Sequence, residues 1–541
     1  MSIVNYKKVV EALLRPFKKH LLFLIAFFVL ATSPFVLIQI FYYHFYINAL
    51  LLAIHCFVLS YIITLLISAI GSKPLRRFFQ TIILAFSAVY FAVNAYCVLK
   101  LGYLFDLDVA MLILGTNANE AKEFASVMLP KDIIFIVLGT YLLFIGLWVL
   151  FARRNLNLGK KTSLLAFVVL CLCVGINAYS WGIWKDGPIA QWYEMAQYET
   201  TGDLQSHYTH PELSLSDESL PTNVVLIIGE SYARNHSSLY GYEKETNPCL
   251  TAFRDSLMLF TFDSIDAPAP TTAESIRYML SIYNKSNHQK TDSKKWFEYT
   301  SIIEVMQQLG YDCFWFSNQA RGSKLNGPSR IFADACQHHH FYQEEGSNRY
   351  NTNLDMVLVD SSYQSVNHIS SQKHRFVVYH MMGSHFDFNL RYPKAFAKFT
   401  ENDYQSDPSK HRGILAAYDN SILYNDYVVT QLINLFRDKD AIVIYLPDHG
   451  QVMYRNPKSP DYFAHGNNND PVGYRLGVEI PFMVFASPLF QEKHPETTQR
   501  IKDRQNNPKP WNSDDLPYLI MDIIGVSSID GETIEKKSIL N

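Results

Sequence analysis

A chain of 541 residues is long enough for two or more folding units, since single domains usually run about 100 to 200 residues. Its 47 Lys and Arg nearly balance 50 Asp and Glu, a formal charge of −3, so the field of a nucleic-acid binder is missing and nucleic acid is excluded as a partner. A mean hydropathy close to zero averages two unlike halves: residues up to about 185 are mostly apolar and aromatic, and the remainder has the make-up of a soluble protein.

Five apolar stretches come first, roughly Leu21 to Phe41, Ile47 to Ile70, Phe79 to Leu99, Ile133 to Ala152 and Ser163 to Ile183. Each is near the ~20 residues that cross hydrocarbon as a helix, and five in succession, parted by short polar connectors, have no common soluble counterpart. The first exceeds the ~7 to 15 residue core of a signal peptide and a second follows at once, so the chain is expected to stay anchored. Basic residues cluster before the first span (Lys7, Lys8, Arg15, Lys18, Lys19), between the second and third (Lys73, Arg76, Arg77) and between the fourth and fifth (Arg153, Arg154, Lys160, Lys161). Basic loops are retained in the cytoplasm, which predicts an inner-membrane, multi-pass protein with its amino terminus inside. An odd number of spans then puts everything after about Ile183 on the outer face, the periplasm of a Gram-negative cell.

The domain reading is a transmembrane domain over 1–185, a connector over 186–220 and a catalytic domain over 221–541. The connector mixes Trp, Tyr, Pro and acids, and Trp181, Trp184 and Trp192 suit either a membrane-interface anchor or a plain linker. Of the cysteines, Cys249, Cys313 and Cys336 fall in the exported part; three cannot all pair internally, and Cys313 with Cys336 is the favoured disulfide, though spacing does not fix connectivity.

In the soluble half, Val224 to Ile228 ends in Gly229-Glu230-Ser231, and Ala441 to Leu446 ends in Pro447-Asp448-His449-Gly450. Both read as buried parallel strands, with helical patterns such as Ile302 to Leu309 and Ile422 to Arg437 between them. The expected fold class is therefore a multi-pass α-helical membrane domain joined to an α/β domain, in which ligands gather beyond the carboxyl ends of strands. Glu230, Asp448 and His449 fall there, and two carboxylates with an imidazole suit Zn²⁺. His385, after the apolar run Phe376 to Tyr379, and His465, in a polar loop, join them as candidates. His374 and the triplet His338 to His340 carry no such context and read as surface residues.

Ala267 to Ser275 holds the candidate nucleophile. Its prolines forbid helix, Thr271 and Glu274 have capping-box spacing, and a helix should begin there, setting Thr272 in a first turn whose free amides and dipole favour a phosphate. A metal-activated Thr hydroxyl could attack phosphorus from that place, although either threonine could equally be a mere cap.

These motifs resemble a known family. Ile228 to Arg234, Ser238 to Tyr242, Thr246-Asn247-Pro248, Tyr379 to His385, Arg391-Tyr392-Pro393, Pro447 to Gly450 and Ala464-His465-Gly466 look like the ordered signature of bacterial phosphoethanolamine transferases acting on lipid A or lipopolysaccharide core, a group that includes the mobile colistin-resistance enzymes. The resemblance implies an alkaline-phosphatase-like (sulfatase) catalytic domain. It implies a principal Zn²⁺ on Glu230, Thr272, Asp448 and His449, with His385 and His465 facing the phosphate or a second ion. Thr272, followed three residues later by Ser275, takes the nucleophile's place. Phosphatidylethanolamine is the implied donor, a phospho-threonine the intermediate, and a lipid A or surface-glycan phosphate or hydroxyl the acceptor, with polymyxin resistance the usual consequence. Membrane lipids are implied neighbours and a monomer is expected. In the outer loop Thr116 and Glu120 match family positions near the donor, but Leu112 stands where the family has Asn; Lys324 matches a family lysine near the phosphate. The same scaffold serves phosphoglycerol transferases and sulfatase-like hydrolases. Gly229 to Ala233 also approximates the elbow of a serine esterase with Ser231 as nucleophile, and a membrane-anchored sensor without activity completes the alternatives.

Overall fold

The computed structural model describes residues 3–41, 46–97, 138–139, 141–142, 158–179, 207–216, 220–283, 296–321, 328–343, 353–368, 374–457, 460–466 and 470–541. Two compact units divide the chain, one of helices within the first 199 residues and one chiefly of residues 200–541.

The first unit contains α1 (Ile3–Lys19), α2 (Leu21–Phe41), α3 (Tyr46–Ser68), α4 (Lys73–Tyr96) and α5 (Lys160–Tyr179). The first, second, third and fifth predicted spans coincide with helices over their described parts, whereas the fourth lies largely outside the described residues. Among the described residues α3 and α4 are long and apolar enough to cross a membrane, and α1 with α2, bent by 70° at the break between them, makes a third if the pair is one span. Three buried hydroxyls and amides are satisfied by their own helix: Thr64 donates to Ser60 O (2.7 Å), Ser87 to Ile83 O (2.7 Å) and Asn94 to Tyr90 O (3.0 Å). That is what an apolar surround, offering no water, demands. The sequence pattern did not single out α1. It is tied down by Arg15, whose guanidinium donates to Ser68 O (3.0 Å), and by Phe17, which stacks on Tyr61 with ring centroids 5.3 Å apart.

The second unit is built on a seven-stranded sheet. Its strands are β1 (Asn223–Gly229), β2 (Leu259–Phe262), β3 (Asp312–Ala320), β4 (His338–Gln343), β5 (Arg375–His380), β6 (Ala441–Pro447) and β7 (Phe482–Ala486). They lie in the order β2-β7-β6-β1-β5-β3-β4. From β6 to β4 neighbours run parallel, and β7 pairs antiparallel with β6 and β2. The central strands β1, β5 and β6 are buried at every residue, which is why each reads as an unbroken apolar run rather than an alternation. Each fully buried Val, Ile or Leu there contributes ~1.5–3 kcal/mol relative to exposure. The helices include α6 (Thr272–Met279), α7 (Ile302–Gln308) and α8 (Ser409–Asn434). The last begins well before the predicted Ile422 because its first three turns continue the same buried face through Leu415 and Tyr418.

Register aligns the functional ends: Gly229 lies opposite Pro447 and Ile228 opposite His380, so three adjacent strands stop level. Two expectations are corrected. Cys313 and Cys336 are free thiols buried in the apolar core, where the Cys336 thiol donates to Phe332 O (3.5 Å) and Cys313 packs beside Ile303 O, so the favoured disulfide is not formed. Thr271 does precede α6 in extended geometry, but its side chain makes no cap hydrogen bond. Part of the stretch read as a connector is also folded. Leu213–Leu215 pairs antiparallel with Val526–Ile529, and the His210 amide donates to Glu304 Oε1 (2.7 Å).

Candidate active site

The level strand ends convert three distant segments into one cluster. Glu230 follows β1, Asp448 and His449 follow β6, and the turn Met381 to His385 follows β5. Backbone bonds lash these turns together: Asp448 N to Gly229 O (3.1 Å), Tyr232 N to His449 O (3.0 Å) and Ser384 N to Glu230 O (3.0 Å). Gly383 makes the last contact possible. Its φ is +49°, and a Cβ there would lie 2.8 Å from Glu230 N. On the other side, a Cβ on Gly477 would meet Gly466 Cα at 2.6 Å and Pro270 at 3.0 Å, so glycine lets the His465 loop close on the nucleophile loop.

Glu230, His449 and His465 each offer a ligand atom within 4.8 Å of the others. His449 Nε2 lies 3.2 Å from Glu230 Oε1 and 3.6 Å from Asp448 Oδ2, and the His449 and His465 rings sit edge to face at 4.6 Å. His449 Nδ1 bonds to Gly450 O (2.7 Å), which fixes the tautomer so that Nε2 faces the cluster. Thr272, the first residue of α6, puts its Oγ1 3.2 Å from Glu230 Oε2 and 3.4 Å from His449 Nε2.

The electrostatics call for positive charge. Asp448 is fully buried and its Oδ2 has no hydrogen-bond partner among the described residues. Burial, then the Glu230 charge, pushes the Asp448 carboxyl up to about 8. Burial opposes a charged His449, but the neighbouring carboxylates outweigh it and lift the imidazole to about 9. For Glu230 burial alone would raise the pKa, yet the bond and charge of His449 hold it well below the usual range. His465 is pushed down to about 3 by burial and by His449. An orphaned carboxylate oxygen, a second carboxylate, a threonine oxygen and two imidazoles form a donor set that a divalent cation of the Zn²⁺ type satisfies, the ion taking the place of the proton on His449.

Of the sequence candidates, the structure brings together Glu230, Thr272, His449 and His465, with Asp448 against His449. His385 lies near enough for its charge to act on Glu230 and His465, and its Nδ1 bonds to Phe386 O (2.7 Å). Lys324, Thr116 and Glu120 lie outside the described residues, as does Leu112. Ser231 does not sit as an esterase nucleophile. It is buried, and its hydroxyl donates to Glu230 Oε1 (2.7 Å) rather than to an imidazole. That bond holds the Glu230 carboxylate in place. The histidines read as surface residues stand apart from the cluster: His338 stacks on Phe314, His339 pairs with Asp334 and His374 bonds to Pro221 O.

Two positioning residues escaped the sequence reading. Gln319, at the end of β3, donates to Glu230 Oε2 (2.8 Å) and Met381 O (3.0 Å). Asp355 accepts from Met382 N and Gly383 N (both 2.8 Å) and so shapes the turn that carries His385. Arg391, buried, finishes that turn by donating to His385 O and Phe386 O.

A family model described as Sulfatase matches residues 222–526. Phosphoethanolamine transferase EptC of Escherichia coli (strain K12) is 26% identical over 461 residues, covering 79% of this chain and 76% of that one. The crystal structure of the C-terminal periplasmic domain of EptC from Escherichia coli, in complex with Zn, aligns with 61% of this chain and 89% of its own at a TM-score of 0.53 and 26% identity. Kdo(2)-lipid A phosphoethanolamine 7''-transferase of the same organism is 29% identical over 317 residues, 57% of this chain and 53% of that one. The integral membrane lipooligosaccharide phosphoethanolamine transferase A (EptA) from Neisseria meningitidis shares the fold over 93% of this chain and 95% of its own, with a TM-score of 0.64 and 17% identity.

Proposed function

The chain belongs to the sulfatase family, and on that premise we propose that it is a zinc-dependent phosphoethanolamine transferase of the inner membrane. Its donor is phosphatidylethanolamine and its acceptor lipid A or another lipopolysaccharide glycan. The amino terminus faces the cytoplasm and residues 221–541 act in the periplasm. The observation that carries the reading is the Thr272 hydroxyl, at the first turn of a helix and within hydrogen-bond reach of Glu230 and His449. The EptC and lipid A relatives support it.

Glu230, Thr272, Asp448 and His449 would hold the principal zinc, with His465 in reach and His385 beside the phosphate. When bound, the ion lowers the pKa of a coordinated hydroxyl and offsets charge on the transferred phosphoryl group. The chain's own groups do the rest. The Thr272 oxygen forms a bond to phosphorus while the bond from phosphorus to the glycerol oxygen breaks; the leaving oxygen takes a proton and diacylglycerol departs. The threonine's proton has an acceptor in place at Glu230 Oε2. In the second half an acceptor oxygen attacks the phospho-threonine, and the Thr272 hydroxyl is regenerated as its bond to phosphorus breaks. Free amides at the start of α6 favour the phosphate's charge throughout.

Mass spectrometry of lipid A and core oligosaccharide from cells expressing the chain tests this. The expected result is the added mass of one phosphoethanolamine, absent with Thr272→Ala. No addition to either fraction by the unmutated chain overturns the reading and turns attention to phosphoglycerol transfer.

A further inference from the structure

Among the residues that follow the ligand-bearing loops in the chain opens a cavity of about 610 Å³ that none of the steps above uses. Two of its walls continue the loops that carry the ligands. Asn235 and His236 come five and six residues after Glu230, and Met453 to Arg455 begin four residues after His449. The second wall is also fastened to the His465 loop: Val452 N donates to Ala464 O (3.0 Å), Tyr454 N to Tyr462 O (2.8 Å), and the Tyr462 hydroxyl to His465 O (2.8 Å). Met453 and Tyr454 hold φ of +43° and +63°. Left-handed backbone at two bulky residues in succession is strained, and such strain collects at functional sites.

Four tyrosines line the cavity, and three have their hydroxyls committed to the protein. Tyr240 donates to Phe482 O (2.6 Å) and accepts from Phe482 N (2.9 Å). Tyr242 (2.7 Å) and Tyr404 both donate to the fully buried Asp419, which His236 also binds at 2.7 Å. Tyr404 is buried and Tyr454 is stacked on His411 with ring centroids 3.8 Å apart, so the ring surface left to a ligand comes from the half-buried Tyr240, Tyr242 and Tyr454. Around the rings stand hydrogen-bonding groups of both signs, Glu243 and Asp407 against Lys244 and Arg455, with Asn235. No net charge selects an anion. An ammonium ion is disfavoured too, because Lys244 Nζ already sits 4.7 Å from the Tyr404 ring centroid.

Flat aromatic surface with acceptors and donors at its edge, in a volume within the ~300–1,000 Å³ typical of ligand sites, suits a sugar ring: C–H faces pack on the tyrosines and hydroxyls bond to the carboxylates and the amide. We propose that this cavity binds a sugar unit of the acceptor glycan and so presents the acceptor oxygen to Thr272. The proposal rests on the transferase reading, and it adds a glycan subsite.

The test is binding rather than turnover, so that it stands apart from the catalytic claim. Saturation-transfer NMR is run on the purified full chain with two probes, the deacylated lipid A disaccharide and the core oligosaccharide, and the probe that binds names the source of the sugar. Thr272→Ala should bind as the unmutated chain does. Tyr454→Ala should raise the dissociation constant about tenfold or more, while Tyr454→Phe, which keeps the ring, restores binding. Asp407→Ala gives an independent loss through a side chain remote from the strained backbone, with the thermal midpoint checked for each variant. Binding of neither probe, binding that ignores both Tyr454→Ala and Asp407→Ala, or displacement of the glycan by ethanolamine would each overturn the proposal. If the glycan binds but the mass-spectrometric assay finds no transfer, the transferase reading fails while the glycan subsite stands.

Discussion

Two fully buried aspartates, Asp448 in the ligand cluster and Asp419 behind the tyrosine cavity, solve the same electrostatic problem in opposite ways. Asp419 is met by His236, Tyr242 and Tyr404, so the protein itself supplies the donors that a desolvated carboxylate requires. Asp448 receives backbone amides on Oδ1 only, leaving Oδ2 bare beside a second carboxylate. One wall is complete without a ligand, and the other is a half-built coordination shell. Metal, protons and nucleophile substitutions should therefore act on the first aspartate's surroundings and leave the second's unmoved.

The largest effect expected is from Thr272→Ala. If this hydroxyl is the nucleophile, transfer falls by at least about 10³-fold, while the thermal midpoint of the chain stays close to that of the unmutated one. Retention of more than a tenth of the activity would remove Thr272 from the reaction as its nucleophile.

Next comes Gln319→Leu, which deletes the amide that holds Glu230 Oε2. Groups that orient a metal ligand typically cost about 10- to 100-fold in metal affinity when removed, and a zinc titration with a competing chelator reads this directly. Unchanged affinity would mean that Ser231, Thr272 and His449 fix the carboxylate without the amide.

How this residue was missed shows what the sequence can carry. β1 and β6 were legible because burial on both faces of a parallel strand demands an unbroken apolar run, and Glu230, Asp448 and His449 were legible because they follow those runs at once. Gln319 is 89 residues from Glu230, on a strand whose aromatic stretch Phe314-Trp315-Phe316 gives no hint of where it ends. Asp355 and Asp419 lie in helical or turn segments like many others, and only tertiary approach makes them parts of a site. Local chemistry also misled: Thr271 and Glu274 have the spacing of a capping box, yet the helix starts without that bond. The Cys313 and Cys336 pairing failed for a similar reason, since compartment and count say nothing of where two thiols point in a packed core.

A third, smaller effect separates the aspartates by pH. Asp448 is raised from 3.8 to about 8 and His449 from 6.5 to about 9. Groups with raised pKa contribute stability below their unfolded values that is lost as pH climbs through the folded ones. Glu230, which is lowered, contributes in the opposite sense, but its change falls below pH 4.5. In a chelator the thermal midpoint should thus fall by a few degrees between pH 6.5 and 9, the scale of ~1–2 kcal/mol for a domain of this size. With zinc present the fall should flatten, because the ion takes over the charge that the protons supplied. A slope of the same size with and without zinc would place the titration elsewhere.

The smallest effect is expected from Tyr242→Phe, which takes one of three donors from Asp419. A lost hydrogen bond to a buried carboxylate costs ~1–2 kcal/mol, with two partners left to share the charge. The midpoint should drop at every pH between 6.5 and 9 by the same few degrees, with zinc affinity unaltered. That constancy is the sharp part of the comparison. If Tyr242→Phe instead weakened zinc binding as Gln319→Leu does, the two aspartates would belong to one electrostatic unit, and the cavity would be a support for the metal centre rather than a separate wall beside it.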